Sequence, residues 1–175
     1  MQMAAPDRHG FLALDAIRKL VRALGDSGRM AQGRTGVSGA QLFVLKVLAA
    51  HPQGLSINEL ADRTMTHQSS VSVVVTRLVA RGLVTRAPSR EDRRRQIVTM
   101  TPKGTALHRT APAVAQELLV EAMRGLSPAR RRALAAGLRA LTDALNISDQ
   151  TAPMFFEEED RTTHARPARD HRRLH

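Results

Sequence analysis

The sequence predicts a mainly α-helical fold carrying one small β-ribbon, and three observations predict it. Apolar residues recur at steps of three and four through most of residues 11–147. Two β-prone stretches, Leu83–Arg86 and Ile97–Thr101, bracket a short loop loaded with arginine. Hydroxyl residues that start helices, and glycines or prolines that stop them, punctuate the rest at helix-length intervals.

Taken in order, Phe11, Leu14, Ile17, Val21 and Leu24 share one helical face, and Gly25 and Gly28 are expected to end that helix. Residues 29–37 read as a loop. Ser38 is the expected N-cap of a second helix that carries Leu42, Leu45, Leu48 and Ala49 and stops near His51-Pro52. Ser56-Ile57-Asn58-Glu59 is a capping box, in which hydroxyl and carboxylate each satisfy a free backbone donor, and it opens a short helix to about Thr64. A turn near Met65-Thr66 leads to a helix over about 67–81, ended by Gly82. Two short helices joined by a tight turn form a helix-turn-helix, and the ribbon behind them, with Pro88 closing its first strand, forms a wing.

Helix returns at Lys103-Gly104 with Leu107, Val114, Leu118 and Met123 apolar, and Pro112 is expected to kink it. Ser127 and Pro128 start a last helix, whose Leu134, Leu138, Leu141 and Leu145 have the spacing of an a/d seam. The expected organisation is a flexible N-terminus at 1–10 and a helical dimerisation region at 11–37 and 104–147. A winged helix-turn-helix lobe at 38–103 lies between its two parts, and a charged tail at 148–175 is disordered or only partly ordered.

Composition narrows the function. The 175 residues suit one domain, or one domain plus a tail. With 42% apolar but only 2% aromatic residues, and neither Trp nor Tyr, the core must be built from Leu, Val, Ala and Met. A net charge of +11 points to a polyanionic partner, either nucleic acid or an acidic membrane surface. The absence of cysteine removes disulfides, thiolate zinc sites and thiol switches. Met1–Gly10 lacks the apolar core of a signal peptide, and no apolar run reaches 18 residues, so a cytoplasmic protein without a membrane partner is expected. The seven histidines show no helical His-x-x-x-His pair outside the last five residues, so no metal or other cofactor is expected. No Ser/His/Asp set, paired carboxylates or glycine-rich phosphate loop stands out, which argues against an enzyme.

The chemistry concentrates between Gln68 and Arg95. Val71, Val74, Val75 and Leu78 should face the core, leaving Ser69, Ser72, Val73 and Thr76 on the opposite face. Small side chains of this kind let a helix sit deep in a major groove, with hydroxyls reaching base edges and Val73 meeting a thymine methyl. Gln68 opens that helix, while Ser70, Arg77 and Arg81 line a flank suited to phosphates. The ribbon adds Arg86, Arg90, Arg93, Arg94 and Arg95. Seven arginines over residues 77–95 against Glu91 and Asp92 leave a local balance of +5. Guanidinium is weakly hydrated and enters a narrow, negative minor groove at modest cost. Asp92 is expected to brace Arg94. A serine-rich surface helix and a solvated basic loop are the bland readings, and their adjacency argues against both. Arg130-Arg131-Arg132 could extend a DNA footprint, pair with the acidic run of the tail, or simply be solvated.

Residues 56–104 resemble the winged-helix module of the multiple antibiotic resistance regulator (MarR) family. The resemblance rests on Ser56-Ile57-Asn58-Glu59-Leu60-Ala61, Ser70-Val71-Ser72, Arg77-Leu78, Arg81-Gly82-Leu83-Val84-Thr85-Arg86, Asp92-Arg93-Arg94 and Val98-Thr99-Met100-Thr101-Pro102-Lys103-Gly104. With the flanking helices it spans about 10–147, and it departs at Val73, a position often polar or basic in relatives. The resemblance implies a homodimer with intertwined terminal helices, reading a palindromic operator on double-stranded DNA and usually repressing. It also implies release by a small aromatic or phenolic effector, for which Met30, Phe43 and Met65 are the candidate lining. A non-specific architectural DNA-binding protein is the alternative.

Overall fold

The centre of the molecule is a short helix with almost no polar face. In the computed structural model, which describes residues 8–89, 94–150 and 152–155, this helix, α2 (Gly39–Ala49), buries eight of its eleven residues. A helix apolar all round must be wrapped on every side. Around it stand α1 (Arg8–Thr35), α3 (Ile57–Thr64), α4 (Gln68–Ala80), α5 (Pro102–Thr110) and α6 (Ala115–Gly125), while α7 (Pro128–Ala144) lies apart. Three strands, β1 (Leu55–Ser56), β2 (Val84–Pro88) and β3 (Gln96–Met100), form an antiparallel sheet in the order β1-β3-β2. The mainly helical fold with a small wing is therefore as the sequence predicts. β1 is an addition: two residues that pair Leu55 with Val98 and Ser56 with Ile97, too short to give a periodic signal.

Local start signals perform as expected. Ser38 caps α2, its hydroxyl accepting from the Gln41 N–H at 3.2 Å while the Gln41 carboxamide accepts from the Ser38 N–H. Ser56 and Glu59 form the predicted reciprocal box at the head of α3. Ser127 caps α7 through the Arg130 N–H.

Two expectations are corrected. Gly25 and Gly28 do not end the first helix, and residues 29–37 are not a loop: α1 runs on to Thr35 and stops at Gly36, whose φ of +68° supplies the left-handed residue that closes a helix. Interior glycines cost a helix about 1 kcal/mol each, but here burial outweighs propensity. Leu24, Gly28 and Ala31 fall on one buried face, and α1 packs along that length against α2 and α6. Ser27 supplies a further reason, because its hydroxyl accepts from the Ala115 N–H at 2.8 Å and so caps α6, whose own Val114 cannot. Nor does Pro112 kink a continuous helix. It separates α5 from α6 with Ala111 extended at ψ 144°, the conformation that a following proline ring imposes.

The outer helices leave their apolar residues uncovered. Phe11, Val21 and Leu118 are each at least 60% exposed, the row Leu134, Leu138, Leu141 and Leu145 is exposed throughout, and α7 buries no residue at all. Of the tail, residues 148–150 and 152–155 are described. Met154 is 2% exposed and belongs to the main core cluster, so the tail is ordered at least there. No helix among the described residues is long and apolar enough to cross a membrane.

Candidate nucleic-acid interface

A single left-handed residue sets the angle between α3 and α4. Met65 sits at φ 52°, ψ 44°, and the N–H groups of Met65 and Thr66 return to the last carbonyls of α3. The Thr64 hydroxyl, buried, donates to the Leu60 carbonyl at 2.8 Å. The Gln68 carboxamide donates to the Asn58 side chain, tying the heads of the two helices together.

α4 divides as its spacing predicts. Val71, Val74, Val75 and Leu78 are fully buried, while Ser69, Val73 and Thr76 are exposed and Ser72 is half-buried between them. The Thr76 hydroxyl donates back to the Ser72 carbonyl at 2.8 Å, which leaves its lone pairs facing outward as acceptors. Val73 is 47% exposed, an apolar spot in an otherwise hydroxyl-bearing face.

The predicted flank comes out differently. Ser70 is buried, and its hydroxyl donates to the Ala152 carbonyl at 3.1 Å; one residue of offset from Ser69 turns it from the groove face towards the tail. Arg81 turns back towards α2, where its guanidinium donates to the Gln41 carboxamide at 3.3 Å. Arg77 is half-buried.

The wing is held from both ends. β2 and β3 pair over five residues, from Val84 with Met100 to Pro88 with Gln96, and the Ser89 N–H closes the ribbon on the Arg95 carbonyl. Arg86 and Arg94 are exposed on it. Arg95, also predicted as a DNA contact, lies 3.4 Å from the Glu59 carboxylate and ties the ribbon to α3. The hydroxyl and N–H of Ser56 hold the Glu59 carboxyl below its usual range, and Arg95 and Arg63 lower it further against the opposing effect of burial. Arg90, Asp92 and Arg93, and with them the expected brace between Asp92 and Arg94, lie outside the described residues.

At the base of the ribbon, Thr101 caps α5 and donates to the Gly82 carbonyl at 2.8 Å. Lys103 donates to the Arg81 carbonyl at 2.9 Å. Gly104 passes so close to the ribbon's start that a Cβ there would lie 2.1 Å from the Leu83 carbonyl oxygen. The motif Thr101-Pro102-Lys103-Gly104 is thus a clamp on the turn between α4 and β2.

A second concavity, about 170 Å³, opens between α2, α3 and α6. Phe43 lines it; Met30 and Met65 do not, one standing exposed on α1 and the other in the α3–α4 turn. Its polar wall was missed: Lys46, ion-paired with Glu117, together with His51, Arg63, Glu121 and Arg124. A signal existed, because Lys46 is the one charged residue in a largely apolar helix.

A capped helix, a tight turn, an exposed-faced second helix and a clamped ribbon define a winged helix-turn-helix protein. Residues 35–95 match the model of the MarR family. The chain is similar to the putative transcriptional regulatory protein for the hcr operon of Thauera aromatica, 35% identical over 109 residues, 62% of this chain and 65% of that protein. It is likewise similar to the HTH-type transcriptional repressor MdtR of Bacillus subtilis (strain 168), 35% identical over 71 residues, 41% of this chain and 45% of that one. Among solved structures it is similar to BpsR of Bordetella bronchiseptica, whose DNA binding is regulated by 6-hydroxynicotinic acid. There the identity is 27% and the TM-score 0.52, over 82% of this chain and 99% of the other. The chain thus spans just under two thirds of the first curated relative and less than half of the second. Its likeness to the MarR family is carried by residues 35–95, the helix-turn-helix and most of the wing.

Proposed function

We propose that this protein is a dimeric, sequence-specific, DNA-binding transcriptional regulator of the cytoplasm, a repressor released from a palindromic operator by a small effector. The observation that carries it is the outward row Ser69, Ser72, Val73 and Thr76 on α4 beside an arginine-bearing ribbon, the two joined by the Thr101 clamp. The helix enters a major groove and the ribbon tip, with Arg90, Arg93 and Arg94, tracks the adjacent minor groove. Arg86 lies nearer the ribbon's base, and Asp92 aims Arg94. Gln68 and Arg77 supply phosphate contacts at the helix edges. The relatives named as a transcriptional regulator and a repressor support the same reading.

The uncovered apolar rows of α1, α6 and α7 support a two-fold partner, since patches of that extent rarely face water. Residues 11–37 and 104–147 form the dimerisation region, with the lobe at 38–103. A symmetric pair reads half-sites about 34 Å apart, one turn of duplex. Footprinting on the region upstream of the protein's own gene should protect a palindrome of about 16–20 base pairs. Uniform, salt-fragile binding to any duplex would instead mean an architectural protein.

For the effector, the mixed charged wall around Phe43, with Lys46, Arg63 and Arg124 against Glu117 and Glu121, suits a small aromatic acid, whose carboxylate displaces Glu117 from Lys46. The regulation of BpsR by 6-hydroxynicotinic acid supports that class. Replacing Lys46→Met should leave DNA binding intact and abolish release by hydroxylated aromatic acids in a gel-shift titration. Release at unchanged ligand concentration would remove this cavity from the mechanism.

A further inference from the structure

We infer that the groove at the α3–α4 turn is a docking site for the chain's own C-terminal segment, which carries an acidic stretch into competition with DNA for the reading helix. The inference rests on the DNA-binding reading above. Its anchor is Met154, 2% exposed and packed into the main core although it lies ten residues beyond the end of α7. Beside it, the Ala152 carbonyl accepts the Ser70 hydroxyl, while Pro153 and Phe155 line a groove with Asp62, Met65 and His67. The segment therefore occupies the N-terminal edge of the helix that carries the groove-facing row, and it uses a hydroxyl that would otherwise be offered to a phosphate.

Just beyond the anchor, the chain carries the acidic run Glu157-Glu158-Glu159-Asp160. An extended chain advances at most about 3.6 Å per residue, so the covalent tether keeps all four carboxylates within roughly 18 Å of Phe155. The whole of α4, with thirteen residues, is about 20 Å long. Its first turn contains no acidic residue and its N-cap, His67, makes no side-chain cap, so the positive end of the helix dipole is unanswered. Tethered anions at high effective concentration beside a cationic, anion-seeking surface compete with phosphate by occupying the same field.

The test is a double-mutant cycle on the full chain, read by fluorescence anisotropy with an upstream-region duplex and a mixed-sequence duplex. Neutralising the stretch (E157Q, E158Q, E159Q and D160N together) should tighten binding about tenfold at low salt, with the gain fading as salt rises. Releasing the anchor with Met154→Asp should also tighten binding and should raise amide hydrogen exchange over residues 61–71. In the released background the neutralisation should add less than about twofold. Equal gains in both backgrounds would reveal bulk charge alone and overturn the inference. So would weaker binding after neutralisation, which would make the tail a DNA contact, or unchanged exchange in Met154→Asp. Failure of every form to bind either duplex would sink the DNA-binding reading, and the competition with it, while the exchange data would still report the anchor separately.

Discussion

Ser70 and Ser72 stand two positions apart on α4 and meet different surroundings. Ser72 lies in the outward row, whereas Ser70 is buried and spent on the Ala152 carbonyl. Helical arithmetic separates the core face from its opposite cleanly, but flank residues depend on what packs beside them, and the partner of Ser70 lies 82 residues away. The same limit applies to Arg81 and Arg95, which charge alone marks as a phosphate ligand and a minor-groove contact and which geometry turns to Gln41 and Glu59. Arg94 is exposed on the ribbon, and it is the wing residue we propose for the operator contact. Arg94→Ala should cost operator affinity about 1–3 kcal/mol and leave the oligomeric state unchanged; unaltered affinity in an anisotropy titration would take the ribbon out of recognition. Glu59 makes a pH prediction. Its folded carboxyl titrates below the ordinary range, chiefly through the Ser56 hydroxyl. Its contribution to stability is thus complete above the usual carboxylate value of about 4.3 and disappears as pH falls through the folded value. Thermal melts of the protein and of Glu59→Gln should differ most near neutrality and converge in acid.

Elements that are specified locally could be read directly. The Ser38 cap, the Ser56–Glu59 box and the Ser127-Pro128 start are settled by side chains within four residues of the backbone they serve. The continuation of α1 could not be read, because Gly25 and Gly28 are poor helix formers in isolation and are compensated by α2, α6 and the Ser27–Ala115 bond. β1 likewise exists only as the partner of β3. Gly104 marks the tightest junction between elements. Gly104→Ala should destabilise the protein by about 1–3 kcal/mol, since the new methyl meets the Leu83 backbone, which cannot yield as the Met100 side chain beside it can. Chemical denaturation measures this directly, and an unchanged midpoint would mean that the junction can open without cost.

At the scale of the whole molecule, α2 is wrapped on every side, whereas α1, α6 and α7 keep apolar rows uncovered. The leucine row of α7 has no covering element among the described residues. Leu138→Asp with Leu141→Asp should convert the protein to a monomer in sedimentation experiments and abolish operator binding; a persistent dimer would place the interface elsewhere. The clamp of Thr101 and Lys103 on the turn behind α4 bears on how such a pair adapts to different sequences. In the proposed pair, a reading head clamped in this way would keep its profile, so an operator whose half-sites stand slightly too near or too far would be met by altering the span of the caliper, not the shape of its teeth.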